Sequence, residues 1–71
     1  MSMAERIRDR RVELGLSQEA VARATGLSTG TYRMIELGQT HSPGILTLQL
    51  IAKALETTIS YLVGESDHGV E

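Results

Sequence analysis

The side chains best suited to holding a ligand fall in one short stretch, Thr29-Gly30-Thr31-Tyr32-Arg33-Met34. Tyr32 and Ile35 lie three apart, which turns both toward one side of a helix and into a core. Thr29, Gly30, Arg33 and Met34 then occupy the opposite, exposed side. An exposed helix start also carries N–H groups without intrahelical partners and a partial positive charge. Hydroxyl, guanidinium and free N–H groups together suit phosphate oxygens or base edges; the competing reading of Arg33 is an ordinary solvated charge. Bond-making chemistry has little to work with elsewhere. The chain has no cysteine, which removes disulfides and thiolate metal sites. His41 and His68 have no Cys, Asp or Glu at metal-ligand spacing in a common element, and His41 reads as a loop residue near phosphate. No Ser-His-Asp set, phosphate-cradling glycine loop or carboxylate pair can be argued. The expectation is therefore a binding protein with no metal, no cofactor and no small-molecule ligand, not an enzyme.

The elements that must position this stretch are all helical. Ser2-Met3-Ala4-Glu5 has the form of a capping box, in which Ser2 caps a first helix and Glu5 reaches back to it. That helix runs to about Leu14, and Gly15 ends it in a left-handed conformation. Ser17 opens a second helix over Gln18 to Thr25, with Leu16 and Val21 at the spacing of a hydrophobic staple. Gly26 stops it, and Ser28 caps a third helix over Thr29 to Leu37, where Leu27 and Tyr32 repeat the staple. Two short helices joined by so brief a glycine turn cannot lie antiparallel and must cross steeply, as in a helix-turn-helix. Gly38 ends the third helix, and Gln39-Thr40-His41 form a polar loop. Ser42-Pro43 reads as an N-cap followed by proline at the first helical position of a fourth helix, which runs to Leu55. Thr58 caps a final short helix, Ile59 to Val63, before Gly64. None of these helices is long enough to be stable alone in water. A shared core must hold them, placed at Ile7, Leu14, Leu16, Val21, Ala22, Leu27, Tyr32, Ile35, Ile45, Leu48, Ile51, Ala52, Leu55, Ile59 and Leu62. The fold expected is all-α, a compact five-helix bundle over residues 1–64. Residues 65–71 form an acidic, flexible tail.

Composition is compatible with one small domain. At 71 residues the chain buries only about 60% of the surface its unfolded form exposes, so stability is modest. No apolar run reaches the roughly 18 residues of a membrane helix, and no secretory signal is legible. A cytoplasmic location without a membrane partner is expected. The net charge is −2, where a nucleic-acid-binding domain is usually basic. The distribution matters more than the total: residues 1–64 carry seven basic and six acidic side chains, and the tail adds Glu65, Asp67 and Glu71. The body is thus close to neutral. The two tyrosines are the only aromatic side chains, which argues against a stacking platform for single strands.

The stretch LSQEAVARATGLSTGTYRMIELG, from Leu16 to Gly38, resembles the Cro/repressor (Xre-like) helix-turn-helix family, and the likeness extends from about Arg6 to Val63. Its marks are Gln18, Ala22, Gly26, Tyr32, Ile35, Glu36 and Gly38, followed by Pro43, Thr47-Leu48 and Ile51-Ala52-Lys53-Ala54-Leu55. The resemblance implies the DNA-binding domain fold of phage repressors, with the helix-turn-helix in helices two and three. Double-stranded DNA is the implied partner and transcriptional regulation, most often repression, the implied activity. It also implies residue roles. Thr29, Gly30, Thr31, Arg33 and Met34 read bases in the major groove, Arg33 by bidentate bonds to guanine or by gripping phosphate. Gln18, Ser28, Gln39 and Thr40 meet the phosphate backbone. Arg11 and Glu36 pair as a partly buried ion pair, against the alternative of two unrelated surface charges.

Departures from the family pattern are equally informative. Gly30 near the start of helix three costs about 1 kcal/mol of helix propensity relative to alanine. Helix three also lacks the Gln and Asn side chains that read adenine. Leu37 stands where a polar or basic residue is usual, and Arg10 replaces a core leucine and should lie at the domain edge. Modest affinity per half-site follows, or readout through DNA shape. A homodimer would compensate. Leu46 and Leu50 lie one turn apart on helix four, and with Tyr61 and Val63 they make a candidate two-fold interface that would set two recognition helices one DNA turn apart. The competing reading is that they enlarge the core. A different class of function also stays open: a protein-interaction module with this fold and little DNA binding.

Overall fold

The computed structural model describes residues 1–40 and 43–64, which form five helices: α1 (Met3–Glu13), α2 (Gln18–Thr25), α3 (Thr29–Glu36), α4 (Ile45–Ala54) and α5 (Ile59–Val63). The expected all-α bundle is what the chain forms. Four of the five starts are capped by the residue its sequence suggests. Ser2, Ser17, Ser28 and Thr58 each accept a hydrogen bond from the third helical N–H, and the Glu5 carboxylate completes the box on Ser2 at 2.9 Å. Each such bond satisfies a donor that the helix itself cannot.

α2 packs against α3 and α4, α1 packs against α3 and α5, and α4 closes on α5. Their meeting point is a core of Ile7, Val21, Ala22, Tyr32, Ile35, Ile51, Ala52, Leu55 and Leu62, with Leu14, Leu16, Leu27 and Ile59 packed at its margin. Ala22 brings a small side chain to this core, and the Thr25 hydroxyl turns back on the Val21 and Ala22 carbonyls and is buried without cost in unpaired donors. No helix among the described residues is long and apolar enough to cross a membrane.

Two expectations need correction at the start of α4. The helix begins at Ile45, with Gly44 as its N-cap and no side-chain capping bond. Pro43 therefore precedes the helix instead of opening it, and it is buried. Ile45, expected in the core, is 59% exposed: with the start moved two residues along, its side chain sits on the first turn facing out. The proposed Ser42 cap, His41, His68 and the acidic tail 65–71 lie outside the described residues.

Candidate nucleic-acid interface

α2 and α3 are joined by Gly26-Leu27-Ser28. Gly26 has φ +78°, a conformation that a β-carbon penalises. Its N–H bonds the Arg23 carbonyl and that of Leu27 bonds the Ala22 carbonyl, so the last carbonyls of α2 are satisfied as the chain turns. Ser28 at once starts α3, its Oγ accepting from the Thr31 N–H at 3.1 Å and lying 2.8 Å from the Thr31 Oγ1. The turn is thus fixed from both sides, and α3 leaves it at a set angle.

α3 buries Tyr32, Ile35 and Glu36 and leaves Gly30, Thr31, Arg33 and Met34 exposed, with Thr29 half-buried. The five residues expected to read bases share this short helix and lie clear of its buried side. Gln39 and Thr40 follow directly after Gly38, Gln39 exposed and Thr40 half-buried. Gln18 and Ser28 are the first residue of α2 and the cap of α3, so both stand at helix starts. The exposed Leu37, 63% accessible, ends α3 with an apolar side chain.

Behind this surface lies an ion pair between helices. The Arg11 Nε meets Glu36 Oε2 at 2.6 Å and its Nη2 meets Oε1 at 3.0 Å, a bidentate fork from α1 to the end of α3. The Glu36 side chain is only 3% exposed. Arg11 Nη1 also donates to the Leu16 carbonyl at 2.8 Å, which ties in the turn before α2. Burial pushes the Glu36 carboxyl upward, but the hydrogen bonds it accepts from Arg11 and Gln18 outweigh this and hold it below the usual range. The Glu36 hydrogen bond in turn raises the Arg11 guanidinium. The Tyr32 hydroxyl is buried against the same pair without a well-aligned hydrogen bond, and burial, then the neighbouring carboxylate, pushes its pKa up.

Gln18 joins this pair in a way its sequence position does not reveal. Its Nε2 donates to Glu36 Oε1 at 3.0 Å, and its Oε1 accepts from Arg33 Nε at 3.2 Å. A side chain expected only at phosphate therefore also bridges the buried carboxylate and the exposed guanidinium. No spacing rule shows this, because the two helices must first cross at the right angle.

Other residues play parts that were not expected. Arg10, expected at the domain edge, is half-buried and acts as a tether: its Nε donates to the Leu55 carbonyl at 2.9 Å and its Nη2 to the Glu56 carbonyl at 3.1 Å. Arg6 is buried, with its guanidinium 5.3 Å from the centre of the Tyr61 ring. Tyr61 accordingly packs at the core margin and is half-buried. Leu46, Leu50 and Val63 are 72%, 46% and 40% exposed, which leaves no room for the reading that the two leucines enlarge the core.

A family model described as helix-turn-helix matches residues 7–62. The chain is 38% identical over 68 residues to the cryptic phage CTXphi transcriptional repressor RstR of Vibrio cholerae, a match covering 96% of this chain and 60% of that protein. It thus spans about three-fifths of the length of that relative. Among solved structures it is similar to the P22 c2 repressor crystallised with synthetic operator 9T, with a TM-score of 0.83 and 33% identity over 89% of this chain and 94% of that one. The solution structure of the P22 c2 repressor DNA-binding domain is similar too, with a TM-score of 0.81 and 34% identity over 87% of this chain and 80% of that one.

Proposed function

The chain belongs to the helix-turn-helix family, of the Cro/repressor (Xre-like) type, and from that premise we propose that it binds double-stranded DNA through α3 and represses transcription as a homodimer on a palindromic operator. The observation that carries the reading is the exposed side of α3, which offers a guanidinium and hydroxyls on a helix fixed from behind by the Arg11–Glu36 fork. The similarity to a repressor crystallised on its operator supports it. In this reading Thr29, Gly30, Thr31, Arg33 and Met34 face base edges, Gly30 and the short side chains letting the backbone come close. Gln18, Ser28, Gln39 and Thr40 meet phosphates. All four of these are uncharged, so they position the protein, and the counterion release that makes binding salt-dependent falls to its arginines. Leu46 and Leu50, with Val63 and Tyr61, form the dimer contact. The near-neutral body and the exposed Leu37 favour the alternative, a protein-interaction module with little DNA binding, whereas Arg33 and Gln18 oppose it. Selection of bound sequences from random duplex DNA decides between them. The proposal expects an enriched motif with two-fold symmetry and affinity that falls as salt rises. Absence of duplex binding even at low salt would overturn it in favour of the interaction module.

A further inference from the structure

An amide has one end that only accepts hydrogen bonds and one that only donates. Glu36, a carboxylate, can only accept, and Arg33, a guanidinium, can only donate. Gln18 lies between them, with Nε2 on Glu36 Oε1 at 3.0 Å and Oε1 on Arg33 Nε at 3.2 Å. Turning the amide over would set oxygen against carboxylate and nitrogen against guanidinium, losing both bonds together. The orientation of the amide is therefore dictated by the buried carboxylate, which Arg11 in turn fixes with two bonds. A chain of four polar side chains runs from α1 through α3 and α2 to the exposed guanidinium.

We infer that Gln18 is a positioning residue for Arg33, and that through it the Arg11–Glu36 pair sets which base pair Arg33 prefers. The inference rests on the DNA-binding reading above. With its Nε held by Gln18, the Arg33 guanidinium has its plane restrained and keeps its two Nη groups, the pair that fits the O6 and N7 atoms of guanine. An arginine not held in this way must surrender its rotamer freedom on binding and can reach a phosphate as easily as a base. Gln18 also keeps its second Nε2 proton, so a phosphate contact is compatible with this role. The two roles differ in what they predict. A phosphate contact strengthens binding to every sequence alike, while a positioning residue changes preference at one base pair.

The experiment begins with the motif selected by the wild-type protein. Affinities are measured on that site and on its single-base-pair variants for wild type, Q18A, R33A and the double variant, with Q18M in place of Q18A should the latter lower the melting temperature. R33A identifies the base pair that Arg33 reads. Q18A is expected to reduce discrimination at that pair about fivefold, in line with the ordering cost of one long side chain, and to leave other positions unchanged. In the R33A background it should have no further effect at that pair. In the free protein, the Arg33 Nε–H resonance should shift in Q18A. Unchanged discrimination at that pair, with or without uniform weakening across all sites, additive effects of Q18A and R33A there, or an unmoved Arg33 resonance would each overturn the inference while leaving the DNA-binding reading intact. A wild-type protein that enriches no motif would overturn both.

Discussion

Glu36 carries more of this molecule than its place near the end of a short helix suggests. It is almost wholly buried, yet Arg11 and Gln18 supply it with three hydrogen bonds, and these hold its carboxyl below the ordinary value of 4.5. A group whose folded pKa is depressed adds stability above its unfolded pKa and loses it as pH falls through the folded value. The melting temperature should therefore hold steady from neutral pH down to about 4.5 and drop below it. The Glu5 carboxyl, lowered by its bond from the Ser2 backbone, acts in the same direction from an exposed site. Glu36→Gln should flatten this acid limb, and a limb of unchanged steepness would assign it to other carboxylates. Glu36→Ala removes the partner of a half-buried guanidinium and should cost about 3 kcal/mol at neutral pH, read from denaturant unfolding. An unchanged midpoint would mean that the fork adds nothing to stability. The positions of Arg11 and Glu36 were legible as a pair because the family pattern carries it. The bridging amide of Gln18 was not, since its two contacts depend on the crossing of α2 over α3 and on no spacing within either helix.

Helix ends show the same division between what a sequence announces and what only packing decides. Gly15, Gly26 and Gly38 each follow a helix at positive φ, and each is followed by the paired backbone bonds that close the last turn. α4 closes with the same pair of bonds, from Glu56 to the Lys53 carbonyl and from Thr57 to the Ala52 carbonyl, but Glu56 takes the left-handed place at φ 54°. No glycine marks this end, so sequence reasoning could find it only through Leu55 being the last apolar residue. Arg10 supplies what the glycine would have made easy: by donating to the Leu55 and Glu56 carbonyls it satisfies free acceptors and sets a positive charge at the negative end of the helix dipole. This is also why an arginine can stand at a position for which the family resemblance implies a core leucine. Glu56→Gly should raise stability by about 1 kcal/mol, by relieving the β-carbon penalty. Arg10→Ala should lower it by about 1–2 kcal/mol, by leaving two carbonyls without their donor. Thermal melts of the two variants and of their combination would show whether the tether and the strained residue act as one device. Simple addition of the two effects would show that they do not. At the other end of α4 the sequence misled, because Ser-Pro is a frequent helix start, whereas the chain here buries the proline before the helix begins.

At the scale of the whole molecule, two features point the same way. The described body has little net charge to draw it to DNA, and the phosphate contacts proposed for it are neutral. Meanwhile α4 leaves Ile45, Leu46 and Leu50 59%, 72% and 46% exposed, in a chain too small to carry apolar surface freely. A single copy would engage a half-site weakly. Two copies joined through this surface would make the second half-site an intramolecular encounter, and overall affinity can then exceed that of one half-site by about 10²–10⁴ with no new contact to DNA. The Leu46→Glu/Leu50→Glu variant tests this separately from the DNA surface, because both side chains point away from the core and the melting temperature should change little. Sedimentation should show the wild type as a dimer in solution or on its site, and the variant as a monomer in both. On a full palindrome the variant should lose about 10²-fold or more in affinity, whereas on an isolated half-site it should bind as the wild type does. Equal affinity of the two proteins for the full site would mean that each subunit binds alone, and that the exposed leucines of α4 serve some contact other than a second copy.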